Sequence, residues 1–259
     1  MKESGRRRMP EPVLLKLGGS VLTRKDAKGA IRRDTLDAVG KEIGSRRTIP
    51  LLIVHGAGSC GHPEAHRYGL MQGLTRDNRE GITVTHRAVS QLNTEIVAAL
   101  RRYGTEAIGI SPLAGCYAES GRISSMEWHN LREMVSRSLV PVLHGDVVMD
   151  GARGVTIVSG DQLVVFLARA LGFRKIGLAT DVPGVLDGDE VIPEITPESA
   201  GRLRLSSSSH TDVTGGMEGK VRELVELARE GVSSEIFHVT KLGAFLDGRP
   251  HGGTVVRGG

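Results

Sequence analysis

The fold turns on one stretch: Pro50-Leu51-Leu52-Ile53-Val54-His55-Gly56-Ala57-Gly58-Ser59-Cys60-Gly61-His62. Residues 50–54 read as a strand of continuous apolar character, as parallel sheets prefer. Gly56 to Gly61 then fit G-x-G-x-x-G, the turn that opens a dinucleotide-binding unit. That reading needs a helix, a second strand and an acidic residue about 20 residues on. Residues 70–80 are instead polar and do not read as a strand, and an imidazole, His62, stands where the helix would be starting. The stretch reads better as a glycine cradle with a histidine at its far end, against the plainer alternative of a glycine turn between two solvated histidines. A Walker A loop is absent as well, because Gly219-Lys220 is followed by Val221 with no hydroxyl for magnesium.

Working outward, short apolar runs alternate with helical patterns. Strands are expected at residues 13–17, 50–54, 107–110, 140–143, 175–179, 235–239 and 254–256. Residues 147–149 and 155–158 flank Asp150-Gly151, a hairpin signal. Helices are expected at 34–47 with Asp34 as N-cap, at 81–103, at 162–171 and at 217–230, where Val221, Leu224, Val225 and Ala228 share one face. This alternation predicts an α/β protein, a three-layer α/β/α sandwich with a mainly parallel central sheet. In such sheets ligands bind at the carboxyl ends of the strands. Glycines cluster there: Gly18-Gly19 after the first strand, Gly56, Gly58 and Gly61 after the second, Gly145 after the fourth. Residues 1–12, with three arginines and no apolar stretch, read as a flexible basic tail rather than a secretory signal. Residues 13–259 read as one domain, with lobes at about 13–145 and 146–259.

Composition narrows the function. Of the 259 residues 35 are glycine and only eight are aromatic. That is about twice the usual glycine share of roughly 7%, without a collagen period. The glycines therefore serve turns, helix ends or close approach to a ligand. The net charge of +4 gives weak support to an anionic ligand. With no basic block interleaved with aromatics, nucleic acid is not expected as a partner. No apolar run approaches the ~20 residues of a membrane span. Cys60 and Cys116 form no disulfide framework and no metal-ligand spacing, so a reducing cytoplasm is expected.

Two further motifs share the cradle's chemistry. Lys16-Leu17-Gly18-Gly19-Ser20 places a lysine at a strand end beside two glycines, whose N–H groups suit phosphate oxygens. A plain strand–turn–helix corner fits it as well. Asp212-Val213-Thr214-Gly215-Gly216-Met217-Glu218-Gly219-Lys220 opens a helix with a lysine in its first turn, against the helix dipole. A cation there points to an anion nearby, or to surface duty.

Taken in order along the chain, these motifs resemble those of the isopentenyl phosphate kinases within the amino acid kinase superfamily. The resemblance covers residues 13–256. It rests on KLGGS with the basic pair Arg24-Lys25 after it, HGAGSCGH-P, Ala114-Gly115, Gly121-Arg122-Ile123-Ser124, VPVLHGDVV, Val158-Ser159-Gly160-Asp161, ATDVPGV and DVTGGMEGK. It implies transfer of a phosphoryl group from ATP to isopentenyl phosphate, giving isopentenyl diphosphate for isoprenoid synthesis by the alternate mevalonate pathway. It also implies a homodimer through the N-terminal lobe.

The acceptor is a phosphate monoester with a second pKa of about 6, already largely a dianion at pH 7, so no general base is required. Catalysis then consists of positioning and positive charge. By resemblance, Lys16, Lys25, His62 and Asp161 are the catalytic set. Lys16 and Lys220 hold the ATP phosphates, Lys25 stabilises the transferring group, and His62 hydrogen-bonds the acceptor phosphate. Gly56, Ala57, His62 and Gly160 would contact the acceptor. Gly18, Gly19, Ser20, Gly58, Asp181 and Gly216 join the two lysines around ATP. Asp161 orients the lysines or caps the following helix; Asp181 contacts the nucleotide or serves a turn. No carboxylate cage for a metal is evident, so Mg2+ is expected to come with ATP. Ala57 stands where many relatives have glycine, which threatens close backbone approach. Cys60 replaces an aromatic, and reads as a small hydrophobe or as a reactive thiol. The wall of the tail pocket is expected within 68–100, around Ile82, Val84 and Val89. Rival readings are a phosphonate kinase of the fosfomycin type and a non-catalytic binding protein on the same fold; the latter would have lost Lys16, Lys25 and Lys220.

Overall fold

Strand and helix alternate along most of the described chain. A computed structural model describes residues 10–24, 29–201 and 216–258. It begins with β1 (Val13–Leu17), the single turn α1 (Gly19–Leu22), α2 (Arg33–Gly44), β2 (Leu51–His55), α3 (Gly58–Arg67), the long α4 (Arg79–Arg102) and β3 (Ala107–Gly109). The hairpin β4 (Cys116–Glu119) and β5 (Arg122–Met126) and helix α5 (His129–Ser136) lead to β6 (Val140–His144). That strand turns at once into a second hairpin, β7 (Asp146–Asp150) and β8 (Gly154–Val158). Then come α6 (Gly160–Leu171), β9 (Lys175–Thr180), three two-residue strands β10 (Leu186–Asp187), β11 (Glu190–Val191) and β12 (Glu194–Ile195), and α7 (Pro197–Ala200). The described chain closes with α8 (Gly216–Arg229), β13 (Ser234–His238), α9 (Leu242–Leu246) and β14 (Thr254–Val256).

Among the described residues the main sheet has eight strands in the order β12-β14-β13-β9-β1-β2-β6-β3. Every neighbouring pair is parallel except β13–β14. Strand alternation explains the layers. Leu14, Leu52, Val54, Leu143, Ile176 and Leu178 face one core with α5, α6 and α8. Val13, Leu15, Leu17, Leu51 and Ile53 face the other with α2, α4 and α9. Both faces are buried, which is why these strands read as continuous apolar runs. The expected α/β/α sandwich is the fold observed. Among the described residues, no helix is long and apolar enough to cross a membrane.

One local expectation is corrected, and two local features carry their own explanation. Helix α2 starts at Arg33 with Arg32 in the N-cap position, so Asp34 is not the cap but a first-turn acid, where the dipole still favours it. The antiparallel bridge Thr23–Ile31 leads the chain directly into that helix. The hairpin expected around Asp150-Gly151 forms: β7 and β8 pair antiparallel, joined by a three-residue loop, 151–153, and Gly154 follows at φ 76°. Asp150 accepts N–H bonds from Ala152 and Arg153 inside the loop, and from Ser120 and Gly121 of the neighbouring hairpin. Its carboxylate braces two hairpins of the four-stranded sheet β5-β4-β7-β8. Finally, α3 is a full helix despite containing Pro63. Pro63 has no N–H for the Ser59 carbonyl four residues back. That carbonyl accepts the Gly29 N–H instead, at 3.3 Å.

Candidate active site

Lys16 shares the Leu14 face of β1, where alternation would put another apolar side chain beneath α6. It is only 5% exposed. Gly160, the first residue of α6, makes room for it: a Cβ there would stand 3.1 Å from Lys16 Cε. Lys16 Nζ lies 2.6 Å from Asp161 Oδ1, and Lys220 Nζ, from α8, lies 3.5 Å from the same oxygen. Burial pushes the Lys16 ammonium down to about 8; Asp161 opposes the fall and Lys220 adds to it. Burial works to raise the Asp161 carboxyl, but the two ammoniums outweigh it and hold the group below its usual range. Two cations on one carboxylate leave a net positive charge in a poorly solvated pocket, which favours a polyanion. Asp161 does not cap α6: Ser159 does, its hydroxyl accepting the Gln162 N–H at 3.1 Å.

The glycine turns meet backbone to backbone. A Cβ on Gly19 would lie 2.5 Å from the Gly58 nitrogen, and one on Gly56 would lie 2.8 Å from the Gly19 nitrogen. Gly58 adopts φ 53°, and a Cβ there would overlap Thr23 Oγ1. Thr23 locks the contact by donating to the Gly19 carbonyl at 2.9 Å and accepting the Ser59 N–H at 2.9 Å. Some amides are already engaged: Gly18 N–H donates to Ala179 O, and Gly56 N–H to Leu17 O. The N-termini of α1, α3 and α6 thus converge at the carboxyl ends of β1 and β2, each presenting first-turn N–H groups that lack intrahelical acceptors. Ser20 Oγ donates to Asp181 Oδ1 at 2.7 Å, tying this node to the end of β9. On the opposite side, Arg122 of β5 grips Glu223 with both terminal nitrogens, one turn beyond Lys220.

The arrangement is a cationic, amide-lined cleft suited to phosphates. The model of the amino acid kinase family matches residues 11–238. The chain is 40% identical over 243 residues to an isopentenyl phosphate kinase of Methanothermobacter thermautotrophicus, covering 87% of this chain and 90% of that one. It is 41% identical over 251 residues to one of Haloferax volcanii, covering 95% and 98%. This chain belongs to the isopentenyl phosphate kinase family. A solved isopentenyl phosphate kinase structure superposes with a TM-score of 0.84 at 34% identity, over 95% of this chain and 100% of that one.

Not every expected residue joins the cluster. Lys25 and Gly215 lie outside the described residues of this kinase. The flanks of Lys25 are anchored: Arg24 N–H donates to Ala30 O at 2.8 Å, and Gly29 N–H to Ser59 O on α3. Gly216 begins α8 at φ 60°. His62 is half-buried, one turn into α3. Ala57 precedes α3 at φ −69° and ψ −25°, ordinary αR geometry that needs no glycine. Cys60 packs against the second core, and burial pushes its thiol up, which disfavours the reactive thiolate. Val89, expected near the tail, is buried against Gly61.

Sequence reading missed a polar cluster beside the cleft in this kinase. His55 and His144 end neighbouring strands in register, their rings 5.5 Å apart. Burial drives both down, His55 to about 4 and His144 to about 3, so both are neutral at pH 7. Asp146 sits 3.7 Å from His144 and 2.9 Å from His86 of α4. The signal was present as two strands each closing on His-Gly, His55-Gly56 and His144-Gly145.

Proposed function

We propose that the protein transfers the γ-phosphoryl group of ATP to isopentenyl phosphate, forming isopentenyl diphosphate and ADP. The observation that carries this reading is the buried Lys16–Asp161–Lys220 cluster at the meeting of three helix N-termini. It supplies fixed positive charge where two polyanions must approach, and that is what in-line transfer to a dianion requires. Lys16 and Lys220 hold the triphosphate, with Asp161 setting their spacing. Gly19, Ser20, Gly58 and Gly216 offer amides to it, and Asp181 orients Ser20. His62, with Gly56, Ala57 and Gly160, binds the acceptor phosphate, and Lys25 neutralises the group in flight. Mg2+ arrives as the ATP complex, held by phosphates and water; Asp161 is already engaged by two ammoniums and is not offered to it. The lobe of residues 13–145 takes the acceptor and that of 146–259 the nucleotide. The enzyme works as a cytoplasmic homodimer, which sedimentation at micromolar concentration checks.

An assay of ADP release with isopentenyl phosphate, dimethylallyl phosphate, fosfomycin and acetylglutamate tests the reading. Turnover is expected with the prenyl phosphates. Turnover with fosfomycin alone would transfer the site to a phosphonate.

A further inference from the structure

The His86–Asp146 pair has no part in the transfer described above, yet it is built with care. Asp146 has a fully buried side chain. At pH 7 its carboxylate is ionised, burial having raised it only to about 6, so His86 Nδ1–H donates to Oδ2 at 2.9 Å. Val147 N–H donates to Oδ1 at 2.9 Å, and the Leu113 N–H also reaches the carboxylate. Ser90, one turn on, stands 3.3 Å from His86 Nε2. His144, His55 and Cys116, whose thiol burial and Asp146 push up to about 12, are ionisable neighbours that stay neutral at pH 7 and add no charge.

The pair touches both ends of the acceptor cradle. Val89 lies three residues beyond His86, on the same face of α4. A Cβ on Gly61 would overlap Val89 Cγ1, so α3 rests directly on α4 beside His62. At the other end, Asp146 follows Gly145, whose N–H donates to His55 O at 3.0 Å. A Cβ on Gly145 would stand 3.2 Å from the Gly160 nitrogen, and Gly160 borders Lys16. Asn93 Nδ2, two turns on, donates to Val142 O at 3.1 Å and holds α4 to β6 itself, so the His86–Asp146 pair is the tie between α4 and the β6–β7 turn beside Gly145.

We propose that His86 and Asp146 are positioning residues for the acceptor phosphate, clamping α4 to the β6–β7 turn so that His62 and Gly160 face the same anion. This rests on the reading of the cleft as an isopentenyl phosphate site. Neither residue touches substrate; each acts through its neighbours.

Steady-state kinetics of His86→Ala and His86→Asn against both substrates test the clamp. His86→Ala is expected to raise KM for isopentenyl phosphate by about tenfold while KM for ATP stays within about twofold, since small displacements of a binding group carry large kinetic penalties. An asparagine amide nitrogen sits two bonds beyond Cβ, as His86 Nδ1 does, and still donates to Asp146, so His86→Asn should keep KM for the acceptor within about threefold of wild type. A merely structural histidine would raise both KM values together, or make the two variants equally defective, and either result overturns the proposal. So does an unchanged KM in His86→Ala. Should His86→Ala not fold, His86→Gln, whose amide is one methylene too far out, replaces it: Gln and Asn behaving alike contradicts the clamp. A wild-type protein inactive on isopentenyl phosphate counts against the functional reading instead, before any variant is compared.

Discussion

Lys16 occupies a core position of β1 because its charge is answered by Asp161, not because the position tolerates polarity. Its pKa of about 8, against 10.5 unperturbed, has two consequences. First, kcat/KM for ATP, which reports the free enzyme, should fall as pH rises through about 8. Asp161→Asn should move that limb to lower pH, since Asp161 is what raises Lys16; a limb near 10.5 in wild type would contradict the assignment. Second, the unfolded chain holds this proton where the folded one has lost it. The contribution of Lys16 to stability therefore rises with pH between about 8 and 10.5. Denaturant midpoints across that window, compared with Lys16→Met, isolate the term. His62 is a different case, half-buried and near a helix start. His62→Ala should lower turnover at least about tenfold with little change in Tm, as for loss of one positioned donor; wild-type kinetics would remove it from the site.

At the scale of elements, the glycine excess has a partly different meaning from the one composition offers. Gly19, Gly56 and Gly58 first approach one another, and only through that contact present amides to a ligand. Gly19→Ala should destabilise by about 1–3 kcal/mol, because the obstacle is backbone that cannot step aside. Gly201 meets nothing within 4 Å and has φ −67°, so Gly201→Ala should be neutral or stabilise by up to about 1 kcal/mol. Chemical denaturation of both variants checks the contrast; equal losses would contradict it. These turns were legible in the sequence because glycine marks backbone need directly. Helix α3 was not, since Pro63 and two glycines argue against a helix, and only the tertiary acceptance of Gly29 N–H by Ser59 resolves the conflict. The β4–β5 hairpin was missed for a related reason. Its alternation is short, and its turn, Ser120-Gly121, places a serine at φ 52° that Asp150 stabilises from another hairpin.

Across the whole molecule, β1 joins two halves of one sheet: β2, β6 and β3 on one side, β9, β13, β14 and β12 on the other. The cleft lies at that seam, which is why its residues come from positions 16, 161 and 220. The core strands were readable, because both sheet faces are buried and each strand announces itself as an apolar run; their order in the sheet was not, since pairing is set by contacts distant in sequence. The pairing of Lys16, Asp161 and Lys220 could be expected only through family resemblance, as no local pattern links residues so far apart. The His86–Asp146 contact was invisible for the same reason, although the two His-Gly strand ends pointed to its neighbourhood. The central claim is that this cationic seam transfers phosphate to a phosphate. The most direct test incubates purified protein with MgATP and isopentenyl phosphate, follows ADP and isopentenyl diphosphate together, and runs Lys16→Met in parallel. Equal amounts of both products from wild type, and turnover reduced at least about a hundredfold in Lys16→Met, are the predicted result. No diphosphate from wild type, or a variant within about threefold of it, would contradict the account.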